Sequence, residues 1–409
     1  MALKKKKKGS SSGSKKVCPQ EVAETTRAIV RERERSMCPR LGDAAVRSAR
    51  AEAILFETVL FKIQRSMKEG KSDLDLSRAQ LATVPPEVRE TSNIVRLDLS
   101  RNRIFGGVFE AIGHLTSLET LNLAKNFLNG PLKVLPLPKL EVLLLDENNI
   151  TELPEHFGTD FPAMKTFSVN RNALTTLPIS LGHWKNLKFF AARHNRLESL
   201  GSLLKDWENL ETIFLSKNRL LDLGLDTEDS VLKNLQELDV RSNLLVTVPL
   251  ALKSCSNLKR LHLGDNKLTS FPPEIFESLV NLQELHLYKN KIDSLPDQVG
   301  CLQKCETMTL SSTGLQTLPE TISQCTSLEE LYLNNCPKLA AFPTSTRLRN
   351  LRELQAKKCP SLKALPAAAV DWTSLEELDL RAAKKQVCKV PQEVRAALGT
   401  RCHIRGGVR

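Results

Sequence analysis

Residues 258–268 read Leu-Lys-Arg-Leu-His-Leu-Gly-Asp-Asn-Lys-Leu, and this stretch decides the fold. Leu261 and Leu263 alternate with His262, which is the spacing of a strand that is buried on one face. Asn266 follows directly, at a position where the chain must turn. The stretch therefore predicts a short strand that is followed at once by a tight turn.

The same pattern recurs about every 23 residues along the chain. Its fourth position falls, with steps of 22 to 25 residues, at Leu74, Leu97, Leu121, Leu143, Phe167, Phe190, Ile213, Leu238, Leu261, Leu285, Met308, Leu331, Leu354 and Leu378. A repeat of this length and pattern is typical of leucine-rich repeats, in which each unit contributes one strand. Because one unit cannot bury its own apolar side, neighbouring units must stack into a continuous core.

An apolar residue followed by proline recurs in most units, as at Leu153-Pro154 and Phe271-Pro272. Proline fixes an extended connection and favours short helical turns, in place of strands, on the side opposite the sheet. Closely packed strands on one side and wider elements on the other make the stack curve. The sequence therefore predicts an α/β fold: a leucine-rich repeat solenoid, or horseshoe, with a parallel sheet on its concave face.

Nine successive units carry an asparagine at the ninth position of the pattern, namely Asn102, Asn126, Asn148, Asn172, Asn195, Asn218, Asn243, Asn266 and Asn290. At a tight turn an amide can satisfy buried backbone groups that a parallel stack would leave unpaired. Later units have Thr313, Cys336, Cys359 and Ala383 there, and a proline follows each of the two cysteines. We interpret all of these as structural residues, with a small buried thiol replacing the amide.

The segments that flank the repeats differ from them in composition. A lysine run and a Gly/Ser stretch at the N-terminus cannot bury apolar surface, so we expect disorder there. Two helices are predicted to follow, at 21–37 and 43–70, and to cover the first exposed core of the solenoid. The predicted division is a basic tail at 1–18, a helical cap at 19–70, the solenoid at 71–395 and a C-terminal tail at 396–409.

The net charge of +12 is concentrated at the N-terminus, since the first fifty residues hold fourteen Lys or Arg and five Asp or Glu. The repeats therefore carry mixed charge, which does not predict a nucleic-acid groove. The run Lys4 to Lys8 is open to three interpretations. It is a solvated tail, a nuclear-localisation signal, or a weak electrostatic contact with an anionic membrane.

The cellular location is predicted from three features of the sequence. No apolar signal segment follows Met1, and no run of about 18 apolar residues predicts a membrane span. The ten cysteines are scattered through the chain and do not cluster in flanking caps, which indicates a reducing environment. We expect a monomer in the cytoplasm, and the lysine run leaves a nuclear location open.

The consensus LxxLxLxxNxLxxLPxxhxxLxxL, as in residues 258–282, resembles the intracellular Ras-associated leucine-rich repeat family, which includes Ras-suppressor and Shoc-2-like scaffold proteins. The resemblance covers roughly residues 72–395. It implies small GTPases, kinases or phosphatases as partners. The units with Cys336-Pro337 and Cys359-Pro360 look more similar to repeats of plant-type resistance receptors.

Alternate strand residues point to the concave face and are free to vary. Apolar and aromatic side chains exposed in the middle of a sheet, together with arginine, are typical of protein interfaces. On this basis the candidate partner-binding residues are Phe189, Arg193, Phe214, Lys217, Arg241, His262, His286, Tyr288 and Tyr332.

Other kinds of site find little support in the sequence. His262 and His286 lie on neighbouring predicted strands, but the pattern reveals no third ligand, so we predict neither a metal nor a cofactor. No nucleophile motif, carboxylate pair or phosphate-binding loop is recognisable, so we predict no enzyme. An acidic insertion, with Asp222 and Asp226, is either a solvated loop or a second contact site.

The sequence as a whole predicts a non-enzymatic scaffold that binds a protein partner on its concave face. The alternative is a peripheral membrane or nuclear factor that is directed by its lysine tail. Deleting residues 1–16 distinguishes the two, since only the second hypothesis requires them.

Overall fold

The chain divides into two compact units, residues 1–65 and 66–409. The structure, a computed structural model, describes residues 43–224, 232–344, 348–381 and 388–406.

Among the described residues of the second unit, fifteen strands form one parallel sheet. In chain order the strands are β1 (Asp73–Asp75), β2 (Arg96–Asp98), β3 (Thr120–Asn122), β4 (Asn129–Pro131), β5 (Val142–Leu144), β6 (Asn149–Glu152), β7 (Thr166–Ser168), β8 (Phe189–Ala191), β9 (Thr212–Phe214), β10 (Glu237–Asp239), β11 (Arg260–His262), β12 (Glu284–His286), β13 (Thr307–Thr309), β14 (Glu330–Tyr332), β15 (Glu353–Gln355), β16 (Glu377–Asp379) and β17 (His403–Arg405). All except β4 and β6 belong to this sheet.

The strands pair in register through their middle residues, as in Leu238 with Leu261 and Leu261 with Leu285. These leucines are buried on the core side of the sheet. All fourteen positions that the sequence pattern selected are the middle residues of strands. The predicted repeat register and the parallel solenoid are therefore confirmed.

In nine units the turn after the strand depends on the asparagine at the ninth position of the repeat, which we call the ladder asparagine. The residue before it adopts a left-handed conformation, with φ of 58° at Asp265, which is unfavourable for a residue with a side chain. Asn266 compensates by donating from Nδ2 to the carbonyls of Val240 and Leu263, both at 3.0 Å. Its Oδ1 accepts the N–H of Leu245 at 3.1 Å. Each asparagine therefore connects its own unit to the preceding one.

A second row of asparagines, which the repeat consensus does not predict, connects the units just before their strands. Asn281 Nδ2 donates to the carbonyl of Ser256 at 2.9 Å, and Asn257 Nδ2 donates to that of Lys233 at 2.8 Å. Equivalent bonds are made by Asn209, Asn234 and Asn350. These side chains are exposed, so water competes for their hydrogen bonds.

Short helices lie opposite the sheet in the second unit. The α-helices of the described chain are α1 (Asp43–Glu69), α2 (Val108–Ile112), α3 (Phe157–Asp160), α4 (Leu203–Asp206), α5 (Pro273–Ser278) and α6 (Gln392–Leu398). The 3₁₀ turns are Pro86–Glu90, Ile179–His183, Leu250–Ser254, Asp297–Cys301, Glu320–Gln324 and Ala367–Asp371. Proline precedes these turns as predicted, for instance Pro249 with φ of −64° and Pro296 with φ of −71°.

Two segments differ from the prediction. Strands β4 and β6 pair in parallel as a separate two-stranded sheet, so these repeats do not consist of one strand and helical turns alone. Strand β4 lies in the unit that lacks the usual proline turn. At the other end, β17 pairs with β16. The main sheet therefore continues into residues that we predicted to be a C-terminal tail.

Helix α1 confirms the predicted second N-terminal helix. Val59 and Ile63 of its apolar stripe are buried, whereas Ile54 and Met67 are exposed. Its role as a cap stays a prediction, and the expected helix at 21–37 and the lysine run lie outside the described residues. Among the described helices, none is long and apolar enough to cross a membrane.

Candidate partner-binding face

The middle of the concave face holds a connected group of side chains. Phe189 and Phe214, on neighbouring strands, meet edge to face with ring centroids 5.5 Å apart. The guanidinium carbon of Arg193 lies 3.8 Å from the centroid of the Phe214 ring, which is a cation–π contact. All three side chains are half-buried, so they present apolar surface that is already fixed in position.

A buried carboxylate anchors this group. Asp239 accepts from Arg193 Nη2 at 3.0 Å and is also bonded by Arg241 through Nε at 2.8 Å and Nη2 at 2.9 Å. Burial raises the pKa of Asp239, but the hydrogen bonds and charge of Arg241 and the charge of Arg193 outweigh it. The pKa is therefore held below its ordinary value. Asp239 stays charged and fixes both arginines.

We call Phe189, Arg193, Phe214, Asp239 and Arg241 the concave patch. Asp239 was not among the predicted site residues. Its signal is present in the sequence as an aspartate at the third strand residue with an arginine two positions later. The same pair recurs as Asp379 with Arg381, where the Nη2–Oδ2 distance is 2.7 Å.

The edge of the concave patch is basic. His194 and the exposed Lys217 occupy the left-handed turn position in neighbouring units. Partial burial and then the charges of Lys217, Arg171 and Arg193 lower the pKa of His194. His194 is therefore neutral near pH 7, and the positive charge around it comes from the lysine and the two arginines.

The two predicted histidines lie beside the concave patch. His262 and His286 occupy paired positions on β11 and β12, and their rings stack with centroids 4.5 Å apart. Glu284 Oε2 lies 3.8 Å from His262 Nε2 and 3.6 Å from His286 Nε2. The expectation that no third ligand approaches this pair is therefore wrong. A strand residue two positions before His286 points to the same face, and this spacing was the signal that the prediction overlooked.

Burial also dominates the titration of the two histidines. It lowers the pKa of His262 to about 4, with a further lowering by His286 and Arg241. Burial lowers the pKa of His286 as well, although Glu284 opposes this. Both imidazoles are therefore neutral near pH 7.

The two tyrosines differ in their surroundings. Tyr288 is half-buried on the unit after His262 and lies beside Arg241, whose pKa is raised first by Asp239 and then by Tyr288. Tyr332 lies two strands beyond His286, where its hydroxyl donates to Glu330 or Glu353, at 3.1 and 3.0 Å. Burial and these two glutamates raise its pKa. The structure therefore groups all the predicted residues except Tyr332 over β8–β12.

Three family models match the repeats. The model described as leucine rich repeat matches residues 138–197 and 256–315, a two-copy leucine-rich repeat model matches 233–274, and a single-repeat model matches 93–115. The chain is a leucine-rich repeat protein. Solved structures agree. A leucine-rich repeat protein of Leptospira interrogans has a TM-score of 0.64 at 26% identity, and the match covers 83% of this chain and 97% of the Leptospira chain.

Other similar proteins share the repeat in different settings. The plant peptide hormone receptor RGFR1, solved in complex with RGF2, has a TM-score of 0.64 at 25% identity. The match covers 76% of this chain and 51% of the receptor chain. The Yersinia pestis effector YopM has a TM-score of 0.61 at 21% identity and covers 90% of each chain, which shows the fold alone.

Sequence relatives match this leucine-rich repeat protein over a limited stretch. Keratocan of Danio rerio is 30% identical over 121 residues, which is 29% of this chain and 34% of keratocan. The human leucine-rich repeats and immunoglobulin-like domains protein 3 is 30% identical over 115 residues, 28% of this chain and 10% of that protein. The chain thus spans about a third or less of the length of these relatives. Membership of the Ras-associated group stays a prediction.

Proposed function

We propose that this leucine-rich repeat protein is a non-enzymatic scaffold that binds a protein partner on the concave patch. One observation carries the proposal: Phe189, Phe214, Arg193, Asp239 and Arg241 form one connected group across three strands. Half-buried aromatic and arginine side chains are the residues that dominate binding energy at interfaces. Because their contacts already hold them in place, little side-chain entropy is lost when a partner binds.

The chemistry of the patch indicates the kind of partner. Asp239 neutralises part of the charge of its two arginines, whereas Lys217 and Arg171 add positive charge at the edge. The complementary surface is an apolar side chain flanked by acidic residues. From β8 to β12 the face is about 19 Å wide at the usual strand spacing. That width accommodates an extended peptide or the edge of a folded domain.

We place the partner in cytoplasmic small-GTPase, kinase or phosphatase signalling, as the resemblance to Ras-associated scaffolds implies. The eight cysteines that the structure describes are free thiols, which supports a reducing compartment. The structure of RGFR1 in complex with RGF2 supports the use of such a solenoid for binding another chain. We expect the free protein to be a monomer.

Affinity capture from a cytosolic extract tests the proposal. The double variant Phe214→Ala/Tyr288→Ala removes two aromatic side chains from the concave face. The matched control, Ile179→Ala/Leu250→Ala, removes two apolar side chains that are 72% and 49% exposed on the helical side. Proteins lost only from the concave-face variant support the proposal. Identical sets of captured proteins for both variants and the wild type contradict it.

A second function rests on the charge of the N-terminus. The concentration of lysine and arginine in the first fifty residues favours a peripheral membrane or nuclear factor. Deleting residues 1–16 abolishes membrane or nuclear association if the tail directs the protein. Unchanged location and unchanged partners after the deletion reject this second function and leave the scaffold.

A further inference from the structure

Three side chains with metal-ligating atoms meet on the concave face next to the patch. His262 lies on β11, and Glu284 and His286 lie on β12. One ligand atom from each of the three lies within 4.8 Å of the others. The residues converge because paired strand positions and positions two apart on one strand all point to the same side of a parallel sheet.

His262 has no bonding partner that explains its burial. Only 8% of the residue is exposed, yet neither Nδ1 nor Nε2 has a hydrogen bond among the residues that the structure describes. Its ring stacks against His286, and Glu284 Oε2 is 3.8 Å away, beyond hydrogen-bond range. Buried polar atoms are nearly always bonded. This imidazole therefore has an unused ligand atom beside a carboxylate and a second imidazole.

We propose that His262, Glu284 and His286 bind a zinc ion. Two imidazole nitrogens and one carboxylate oxygen form a ligand set that zinc accepts, whereas calcium and magnesium need more oxygen ligands. Ligand bonds of about 2.0–2.2 Å require the three atoms to approach one another by roughly 1 Å. Rotation of the partly exposed Glu284 and a tilt of the stacked rings supply this movement without a change in the strands.

The charges around the site are compatible with a cation. Arg241 and Arg260 are nearby, but each is paired with a carboxylate: Arg241 with Asp239 at 2.8 Å and Arg260 with Glu237 at 2.6 Å. Glu284 supplies the negative charge that faces the ion. Zinc with three protein ligands retains a fourth position, which takes a water molecule or a side chain of a bound protein. The site stands independently of the protein partner proposed above.

Cobalt spectroscopy on the full-length, reduced protein tests the site, because Co²⁺ reports its ligands through visible absorption bands and zinc displaces it. The expected result is one Co²⁺ per chain, ligand-field bands without thiolate charge transfer, and displacement by Zn²⁺. His286→Ala weakens binding by about 100-fold or more, since loss of a direct ligand costs at least as much as loss of an outer-shell partner.

Two further variants complete the experiment. Glu284→Gln keeps the size of a partly exposed side chain and weakens binding without unfolding, which circular dichroism checks. His194→Ala, a half-buried histidine of the same face outside the cluster, leaves binding unchanged. The proposal is overturned by absence of Co²⁺ binding, by thiolate charge-transfer bands that identify cysteine ligands, or by equal affinity in the wild type, His286→Ala and Glu284→Gln.

Discussion

The units with a ladder asparagine and the units with Cys336 and Cys359 contain the same strands but are joined differently. Asn266 makes two donor bonds at 3.0 Å and accepts a third at 3.1 Å. Cys359 makes a sulfur hydrogen bond to the carbonyl of Leu333 at 3.0 Å and a longer one to Lys357. Strand geometry therefore follows from the leucine spacing, whereas the strength of each junction follows from the ladder residue.

The turns explain why the two regions use different residues. In an asparagine unit, the second residue after the asparagine donates its N–H to the next amide, as Leu245 does to Asn266. After Cys336 the turn is one residue longer, and the N–H of Leu339 bonds to the carbonyl of Cys336 at 3.3 Å. The N–H of Leu339 is therefore not donated to the residue at position 359 of the next unit. An asparagine at 359 would have an unpaired side-chain oxygen, whereas the thiol of Cys359 has no such acceptor.

Replacing a central ladder asparagine should have the largest effect. Asn243→Ala removes donor bonds to Leu215 and Val240 and the acceptor for the N–H of Leu220, each at 3.0 Å. Because three buried backbone groups lose their partner, we expect the free energy of unfolding to fall by about 3 kcal/mol. Urea denaturation measures it. A fall of less than about 0.5 kcal/mol would contradict the claim that the ladder asparagines stabilise the junctions between units.

The sulfur ladder should matter less. Cys359→Ala removes weak sulfur bonds and one buried atom, so we expect a loss of about 1.5 kcal/mol, half that of the asparagine variant. The same denaturation experiment gives the comparison directly. A loss equal to that of Asn243→Ala would show that the two kinds of junction are equivalent, against our interpretation.

An asparagine should also join the units at Cys336, which lies two units after Asn290 and one unit after Thr313. In Cys336→Asn the amide replaces a sulfur bond to the carbonyl of Leu310 at 3.4 Å. Leu315 lies two residues after Thr313, just as Leu245 lies two residues after Asn243. Its N–H can therefore donate to the new asparagine as the N–H of Leu245 donates to Asn266. We expect stabilisation by about 1 kcal/mol. Cys359→Asn is the matched control, and it should destabilise because the preceding turn is longer. Destabilisation by both changes would contradict this reasoning.

The exposed asparagine row should contribute least. Asn281→Ala removes one hydrogen bond to the carbonyl of Ser256. Since water replaces the partner at this exposed position, we expect a loss of about 0.5 kcal/mol. If the free energy of unfolding fell by nearly as much as in Asn243→Ala, the two rows of asparagines would stabilise the junctions equally, which would contradict this prediction.

The sequence predicted the main sheet well because its signal is repeated. The apolar residue at the fourth position of each unit has a counterpart in the neighbouring units. A unit that departs from leucine, such as the one with Met308, can therefore still be aligned by its neighbours. The pair β4 and β6 was missed because no other described units repeat it and because β4 lies in a unit without the proline turn. Strand β17 was missed because its middle residue, Ile404, follows no recognisable repeat pattern.

The candidate site was predicted only in outline. Alternation along strands correctly assigned Phe189 and Phe214 to neighbouring positions of one face. It did not reveal Asp239 as the buried anchor of two arginines, because charge pairing depends on side-chain conformation. Nor did alternation along the strands lead us to predict that Glu284 lies beside His262 and His286. Spacing determines which side chains share a face, and the structure is needed to show which of them meet.

Site-specific photo-cross-linking tests the central claim, that a protein binds the concave patch, most directly. A benzophenone amino acid replaces Phe214 in one variant and the 72% exposed Ile179 in the other. After irradiation in a cytosolic extract, we predict a discrete cross-linked product from position 214 that excess unlabelled wild-type protein competes away, and none from position 179. Equal products from both positions, or products from position 179 alone, would contradict the account.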